Sequence, residues 1–309
     1  MAVFPDPPTP LKPILGMGTV VVDHQVFLRR LPDPDTKEEI RVDRIQVGGP
    51  VVTALAQLGR FGLKTSFIGR WSTDRNGEII EEDLARWGVA SGLAVVLPEG
   101  RSGFAHVWVE EGSGRRSIAA FRGSHQVMES DLDGIDWTGF SALHLDGWST
   151  DAAIAASRRM RDAGGRVFLD LGSPKPRLAE LLAHVDVVNG PRRLFEGLYP
   201  GESLESAAEH FLQLGVSQVT VTDGEKGAWM VRPLRVIHQP AYAVEAADTN
   251  GAGDVFSGAL VYAILCSFSD SDCLRFAAGA AALKCRSVGN REALPTLEQI
   301  GAFWEGDPR

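Results

Sequence analysis

The sequence predicts an α/β protein: a doubly wound, mainly parallel sheet of the kind built by alternating strands and helices, with a small β lid attached. Three observations predict it. From Ala142 onward, short apolar β-branched runs alternate regularly with segments of helical periodicity, the pattern that buries a parallel sheet under helices on both faces. Two segments, about 24–47 and 102–122, interrupt that rhythm with alternating apolar and charged residues, as strands with one wet face do. The chain of 309 residues, 44% hydrophobic and 23% charged, shows no internal repeat and no low-complexity linker, so one domain over 12–304 is expected, with the lid inserted in it.

In order, Ile14 to Val22 reads as a strand ending near Asp23, and the mixed segment after it runs to Val47. Gly48-Gly49-Pro50 opens a helix with Val51, Val52, Leu55 and Leu58 at helical spacing, proline suiting its first turn. A strand at Thr65 to Arg70 and a helix over 78–87 closed by Gly88 follow. Gly103 to Phe121 reads as a hairpin around Glu111-Gly112-Ser113-Gly114. Strands are then expected at Ala142–Leu145, Val167–Leu171, Val185–Val188 and Gln218–Thr222. Helices are expected at Asp151–Ala163, Leu178–Leu182 and Leu204–Leu214, then at Gly253–Cys266 and Asp272–Cys285, the last capped by Ser269 or Asp270.

The net charge of −9 argues against a broad basic surface for nucleic acid or anionic lipid. Cys266, Cys273 and Cys285 lack the paired spacing of a zinc site and read as buried thiols of a reducing compartment. Met1 to Pro13 carries five prolines rather than a basic stretch and an apolar core, so it reads as a loose tail and not a secretory signal. The longest apolar stretch, Gly258 to Cys266, is far shorter than the roughly 20 residues that span a bilayer. A cytoplasmic protein without membrane partners is expected.

The most informative stretch is Asp248-Thr249-Asn250-Gly251-Ala252-Gly253-Asp254, followed at once by the apolar helix beginning Val255-Phe256. Small residues at 251–253 permit close backbone approach, and the first amides of a helix are unpaired donors at its positive end, so the loop suits an anion such as a phosphoryl group in transfer. A carboxylate beside that hole, Asp254, is placed to take the proton of an attacking hydroxyl. The plainer reading of Asp254 is a helix N-cap. Neither a Walker loop nor a dinucleotide fingerprint is present.

Asp248 to Asp254 resembles the signature of the PfkB, or ribokinase-like, family of carbohydrate kinases. The likeness spans nearly the whole chain: Val47 to Gly59, Phe67-Ile68-Gly69 and Asp74 to Gly77 resemble the family's N-terminal signature, Thr222 to Ala228 its nucleotide-site strand and turn, and Ala281 to Gly289 the segment over the adenine. The resemblance implies ATP-dependent phosphorylation of a hydroxyl on a small sugar or sugar derivative. It makes Asp254 the catalytic base and Gly251, Ala252 and Gly253 the anion hole. It places sugar at Asp23, Gly48, Gly49, Thr53 and Lys37, and ATP at Asn189, Thr222, Gly224, Gly227 and Asn250. Mg²⁺ arrives with ATP, and a monovalent cation, K⁺, is implied at Asp248 and Gly289.

Two departures stand out. Many members carry asparagine where this chain has Thr53, and many carry Asn-x-x-Glu where it reads Asn189-Gly190-Pro191-Arg192, so that a positive charge replaces a glutamate and is expected either to meet a phosphate or to be solvated. The Gly-Gly-Pro opening, Thr53 and Ala281-Ala282-Leu283-Lys284-Cys285 most resemble the branch that includes sulfofructose kinase. Lys37, Arg116 and Arg122 are the candidates to bind an anionic substituent, ordinary surface cations being the alternative. Two rival functions are a nucleoside kinase of the same fold, with Phe104, Trp108 or Trp148 stacking a base, and a catalytically silent nucleotide-binding scaffold, for which Arg192 would speak. The exposed lid edges lead us to expect a homodimer.

Overall fold

The computed structural model describes Phe4, residues 11–112 and residues 116–306. The apolar run that opens the chain is divided: β1 (Ile14–Met17) and β2 (Val21–Leu28) break at Gly18-Thr19-Val20, where one strand to Val22 was expected. A Cβ on Gly18 would lie 2.7 Å from Asp146 Oδ2, so only glycine lets the chain turn this closely against the body. β1 enters the main sheet and β2 leaves it, pairing antiparallel with β3 (Ile40–Gly48).

Helix α1 (Pro50–Arg60) starts with proline at its first turn and buries Val51 to Leu58. β4 (Thr65–Ile68) and β5 (Arg70–Ser72) lead to α2 (Arg75–Arg86), whose cap Asp74 accepts a 2.9 Å bond from the Gly77 amide. After the short strands β6 (Val89–Ala90) and β7 (Val95–Leu97), β8 (Phe104–Glu110) and β9 (Arg116–Phe121) form the expected hairpin. Most of its turn, 113–115, lies outside the described residues.

The regular alternation follows as β10 (Ala142–Leu145), α3 (Thr150–Asp162), β11 (Arg166–Asp170), α4 (Leu178–Leu182) and β12 (Val187–Pro191). β12 starts two residues later than expected because the Val185 amide still closes the turn after α4, on Leu182 O. Beyond it come α5 (Arg192–Leu198), α6 (Leu204–Gln213), β13 (Gln218–Thr222), β14 (Ala228–Arg232) and β15 (Arg235–Gln239). The chain ends on α7 (Ala252–Leu265), α8 (Asp270–Cys285) capped by Ser269, and α9 (Leu297–Glu305). α5, the β14–β15 hairpin and α9 were not foreseen. The box Thr296-x-x-Gln299, in which each side chain bonds the other's amide, is the signal that would have found α9.

Among the described residues the main sheet runs β15-β14-β13-β12-β11-β10-β1-β4-β6, parallel except for β14, which runs antiparallel to both its neighbours, and a separate lid sheet runs β3-β2-β8-β9. One face of the main sheet, with Ile14, Phe67, Phe168 and Met230, packs under α1, α7 and α8. The other, with Leu15, Ile68, Leu143, Leu169 and Val219, packs under α3, α5 and α6. Phe276 centres an aromatic cluster with Phe61, Tyr262, Phe268 and Phe4, whose ring lies 5.1 Å from it. At Phe4, then, the expected loose tail is docked to the core, because an aromatic ring gains by leaving water here. No disulfide joins the three cysteines.

Candidate functional site

Strands β1, β10, β11 and β12 end side by side, Met17 beside Leu145 and Leu145 beside Leu169, and Asp170 beside Asn189. The residues just past those ends therefore gather on one edge, the C-terminal edge where open α/β sheets bind ligands. Asp146 accepts hydrogen bonds from the Thr19 amide at 2.8 Å and the Trp148 amide at 3.0 Å. Asp170 accepts from Ser257 Oγ at 2.7 Å, and that oxygen accepts from Asn189 Nδ2 at 2.6 Å. Asp23, on lid strand β2, and Asp254, on α7, complete a group of four carboxylates.

Crowding in a poorly solvated cleft governs their protonation. Burial, then the charge of Asp254, pushes Asp23 up to about 7, against Arg291 and a hydrogen bond from Asn290. Burial and Asp254 likewise push Asp170 up to about 7, against Ser257 and Lys175. Asp254 itself is raised by burial to about 6, held down by Arg291, Lys284 and Arg116. An aspartate poised near neutrality suits a general base.

The turn before α7 is built for an anion. Gly251 is its N-cap with φ 75°, a left-handed conformation that glycine adopts without strain. Ala252, Gly253 and Asp254 form the first turn, so Asp254 sits at the third helical position and is not the cap the plainer reading made it. The Ala252 amide donates to Thr249 O at 3.3 Å, while among the described residues those of Gly253 and Asp254 have no partner at the positive helix end, and the space about Gly253 is open. Asp248 Oδ1 braces the loop through the Asn250 amide at 2.8 Å, and Asn250 Nδ2 reaches Asn290 Oδ1 at 3.1 Å. From the lid, Arg116 reaches Thr249 Oγ1 at 3.2 Å.

The remaining predicted residues divide. Gly48 lies against Asp23: a Cβ there would fall 2.3 Å from Asp23 Oδ2, so glycine makes room for that carboxylate. Gly49 follows as the cap of α1. Thr53 is fully buried and its hydroxyl accepts from Arg291 Nη1 at 2.9 Å, so it faces the site through an arginine. Lys37 stands exposed on the loop joining β2 to β3. Thr222 ends β13, and Gly224 and Gly227 lie in the turn to β14. Asn189 Oδ1 is buried without a protein partner, an acceptor directed to something else.

A family model described as pfkB family carbohydrate kinase matches residues 14–297. The chain belongs to the PfkB family. An uncharacterized sugar kinase of Archaeoglobus fulgidus is 28% identical over 77% of this chain and 98% of its own length. A ribokinase of Arabidopsis thaliana is 27% identical over 93% of this chain and 80% of its own. The structure of Arabidopsis thaliana ribokinase complexed with ribose and ATP aligns with a TM-score of 0.83 at 26% identity, covering 96% of this chain and 100% of that one. The fold is the ribokinase-like α/β fold.

Within this PfkB frame two expectations change. The oxygens expected to hold a monovalent cation are already committed: fully buried Lys284 donates to Asp248 O at 2.9 Å and lies 3.3 Å from Asp248 Oδ2, which also accepts from the Gly289 amide at 3.1 Å. A resident ammonium stands beside Asp248 and Gly289, so these residues do not fit K⁺. Arg192, expected to meet a phosphate or solvent, is held by acidic side chains. It pairs with Asp223 at 3.3 Å and Glu196 at 3.5 Å, its guanidinium 5.2 Å from the Trp229 ring centre. Sequence reasoning gave no site role to Asp146, Asp170, Ser257 or Arg291. For the two aspartates a signal existed, an acid at or just after an apolar strand.

Proposed function

We propose that this protein transfers a phosphoryl group from ATP to a hydroxyl of a small sugar or sugar derivative, with Asp254 as the base. The observation that carries this reading is the position of Asp254 in the first turn of α7, beside the open space at Gly253 and close enough to Asp23 for its charge to act there. Asp23 and the backbone at Gly48 and Gly49 hold acceptor hydroxyls, and Asp254 takes the proton of the attacking one. The amides of 251–253 and Arg116 stabilise the charge in transfer. ATP lies along Thr222, Gly224, Gly227 and Asn250.

The residues present fit Mg²⁺ that arrives with the nucleotide: Asn189 Oδ1, buried and without a partner among the described residues, would accept from water carried by the ion. The ion, when bound, neutralises phosphate charge. Release of ADP with Mg-ATP and a panel of sugars, sugar acids and nucleosides tests the reading. Asp254→Asn is expected to lower turnover by about 10²–10⁴. A near-normal rate in that variant overturns the assignment of the base.

The lid also supports a homodimer in this proposal. His24, Ile45, His106, Trp108 and Phe121 share its outer face, with Ile45 54% and Trp108 42% exposed. Ile45→Glu is expected to convert a dimer to a monomer in light scattering, and a wild-type monomer removes the idea. Among the described residues no helix is long and apolar enough to cross a membrane. We place the enzyme in the cytoplasm, which imaging of a tagged chain checks.

A further inference from the structure

We propose that Arg122 and Lys175, both held against the ring of Trp148 beside the acceptor cleft, bind an anionic substituent of the acceptor, so that the substrate is an acidic sugar. The inference rests on the kinase reading above and adds the substrate class. Lys175 belongs to the loop after β11, is only 7% exposed, and donates to Ser173 Oγ at 2.8 Å and Ser173 O at 3.2 Å. Among the described residues no carboxylate lies within ion-pair distance of it, and beyond Ser173 its amine meets the face of the Trp148 ring. An ammonium so placed is costly to bury unless an anion completes its shell. Its stem passes over Gly147, where a Cβ would meet Lys175 Cγ at 3.4 Å.

Arg122 follows the lid strand β9 directly. Its guanidinium lies 3.8 Å from the centre of the Trp148 ring and the Lys175 amine 4.1 Å from it. Among the described residues Arg122 has no hydrogen bond or ion pair. Two cations are thus brought to one ring although they repel; burial holds the Lys175 amine below its usual range, Asp146 acting against it and the charge of Arg122 with it. Trp148 and Arg122 line a small cavity with Gly18, Thr19 and His125, Gly18 and Thr19 being the break between β1 and β2 that leads to Asp23. Asp146 and Asp170 act on the amine from beyond ion-pair distance, and each of the two Asp146 oxygens already accepts from a backbone amide. A planar fork from the lid and a point charge from the body suit a carboxylate, sulfonate or phosphate.

The test uses the full chain with Mg-ATP and matched acceptors: fructose, fructose 6-phosphate, 6-deoxy-6-sulfofructose, and a 2-keto-3-deoxy sugar acid beside its neutral deoxy sugar. Wild type is expected to favour an acidic acceptor over its neutral counterpart by at least about tenfold in kcat/KM. Lys175→Met and Arg122→Ala are each expected to cut that ratio by at least about tenfold, through KM. The preferred arm shows which anion is read. If wild type prefers neutral acceptors, or if the variants lower both members of a pair alike, the cations only balance the acidic cluster and the inference fails. If nothing is phosphorylated, the kinase reading fails by itself, and calorimetry with the same compounds then decides the anion site. Acid-selective binding lost in Lys175→Met sustains it, and equal binding of acid and neutral compounds overturns it.

Discussion

Asp170→Asn is expected to make the protein more stable and to do so only above acidic pH. In the folded chain burial and the neighbouring Asp254 raise Asp170 from 3.8 to about 7, so the folded state holds this proton more tightly than the unfolded chain does. The stability linked to that proton is fully present below 3.8 and is lost as pH rises through about 7. A shift of about three units corresponds to about 4 kcal/mol of cost at pH 8. At about 2 cal/mol/K per residue of unfolding entropy, that is about 6 °C in Tm for a chain of this length. Asparagine keeps an oxygen that can accept from Ser257 Oγ, now 2.7 Å from the carboxylate, and has no charge to desolvate. Scanning calorimetry of both proteins at pH 8, 6 and 4 measures the effect. The gain is expected to be largest at pH 8 and to shrink toward zero at pH 4. A variant no more stable than wild type at pH 8, or a gain equal at all three values, refutes the reasoning.

Three further outcomes are expected. Because Asp254 and Asp23 face each other with values of about 6 and about 7, kcat/KM should rise with pH through that interval as the pair loses protons; a profile flat from pH 5 to 8 contradicts this. Wild-type turnover should be indifferent to KCl, whereas Lys284→Met, which empties the position beside Asp248, should lose about 10²-fold and regain part of it with K⁺ in steady-state assays, with a K⁺-dependent rise in Tm as well. Arg291→Met removes a guanidinium that is 3% exposed and bonded to Asp83 at 3.0 Å and Thr53 at 2.9 Å, and should cost about 3–5 kcal/mol in denaturant unfolding. An effect below about 1 kcal/mol would show the pair is not buried in solution.

The regular half of the fold was legible because each parallel strand must be apolar on both faces and each helix must keep an apolar stripe, as in Phe168 to Leu169 and in α6. The break at Gly18 was not, because an apolar β-branched run carries no mark of which sheet it joins. The turn around Asp254 was readable since its chemistry is local: small residues, then an acid, then a helix. Asp170 and Arg291 act through partners 87 and 238 residues away, at Ser257 and Thr53, and such pairings exist only once the sheet has brought them together. Lys284 sat in plain view in the sequence, yet its meaning lay in the 2.9 Å contact with Asp248 O.

The division of the first strand has a mechanical consequence. Asp23 is carried by the lid and Asp254 by the body, and only the three residues Gly18-Thr19-Val20 join β2 directly to β1. Two like charges thus confront each other across a short hinge, and their repulsion favours an ajar lid. An acceptor placed between them donates one hydroxyl to Asp23 and another to Asp254, which offsets the repulsion when the acceptor is in place. The pair that handles the acceptor thereby also acts as a latch, sprung open by charge when the cleft is empty and closed by the hydroxyls the acceptor brings.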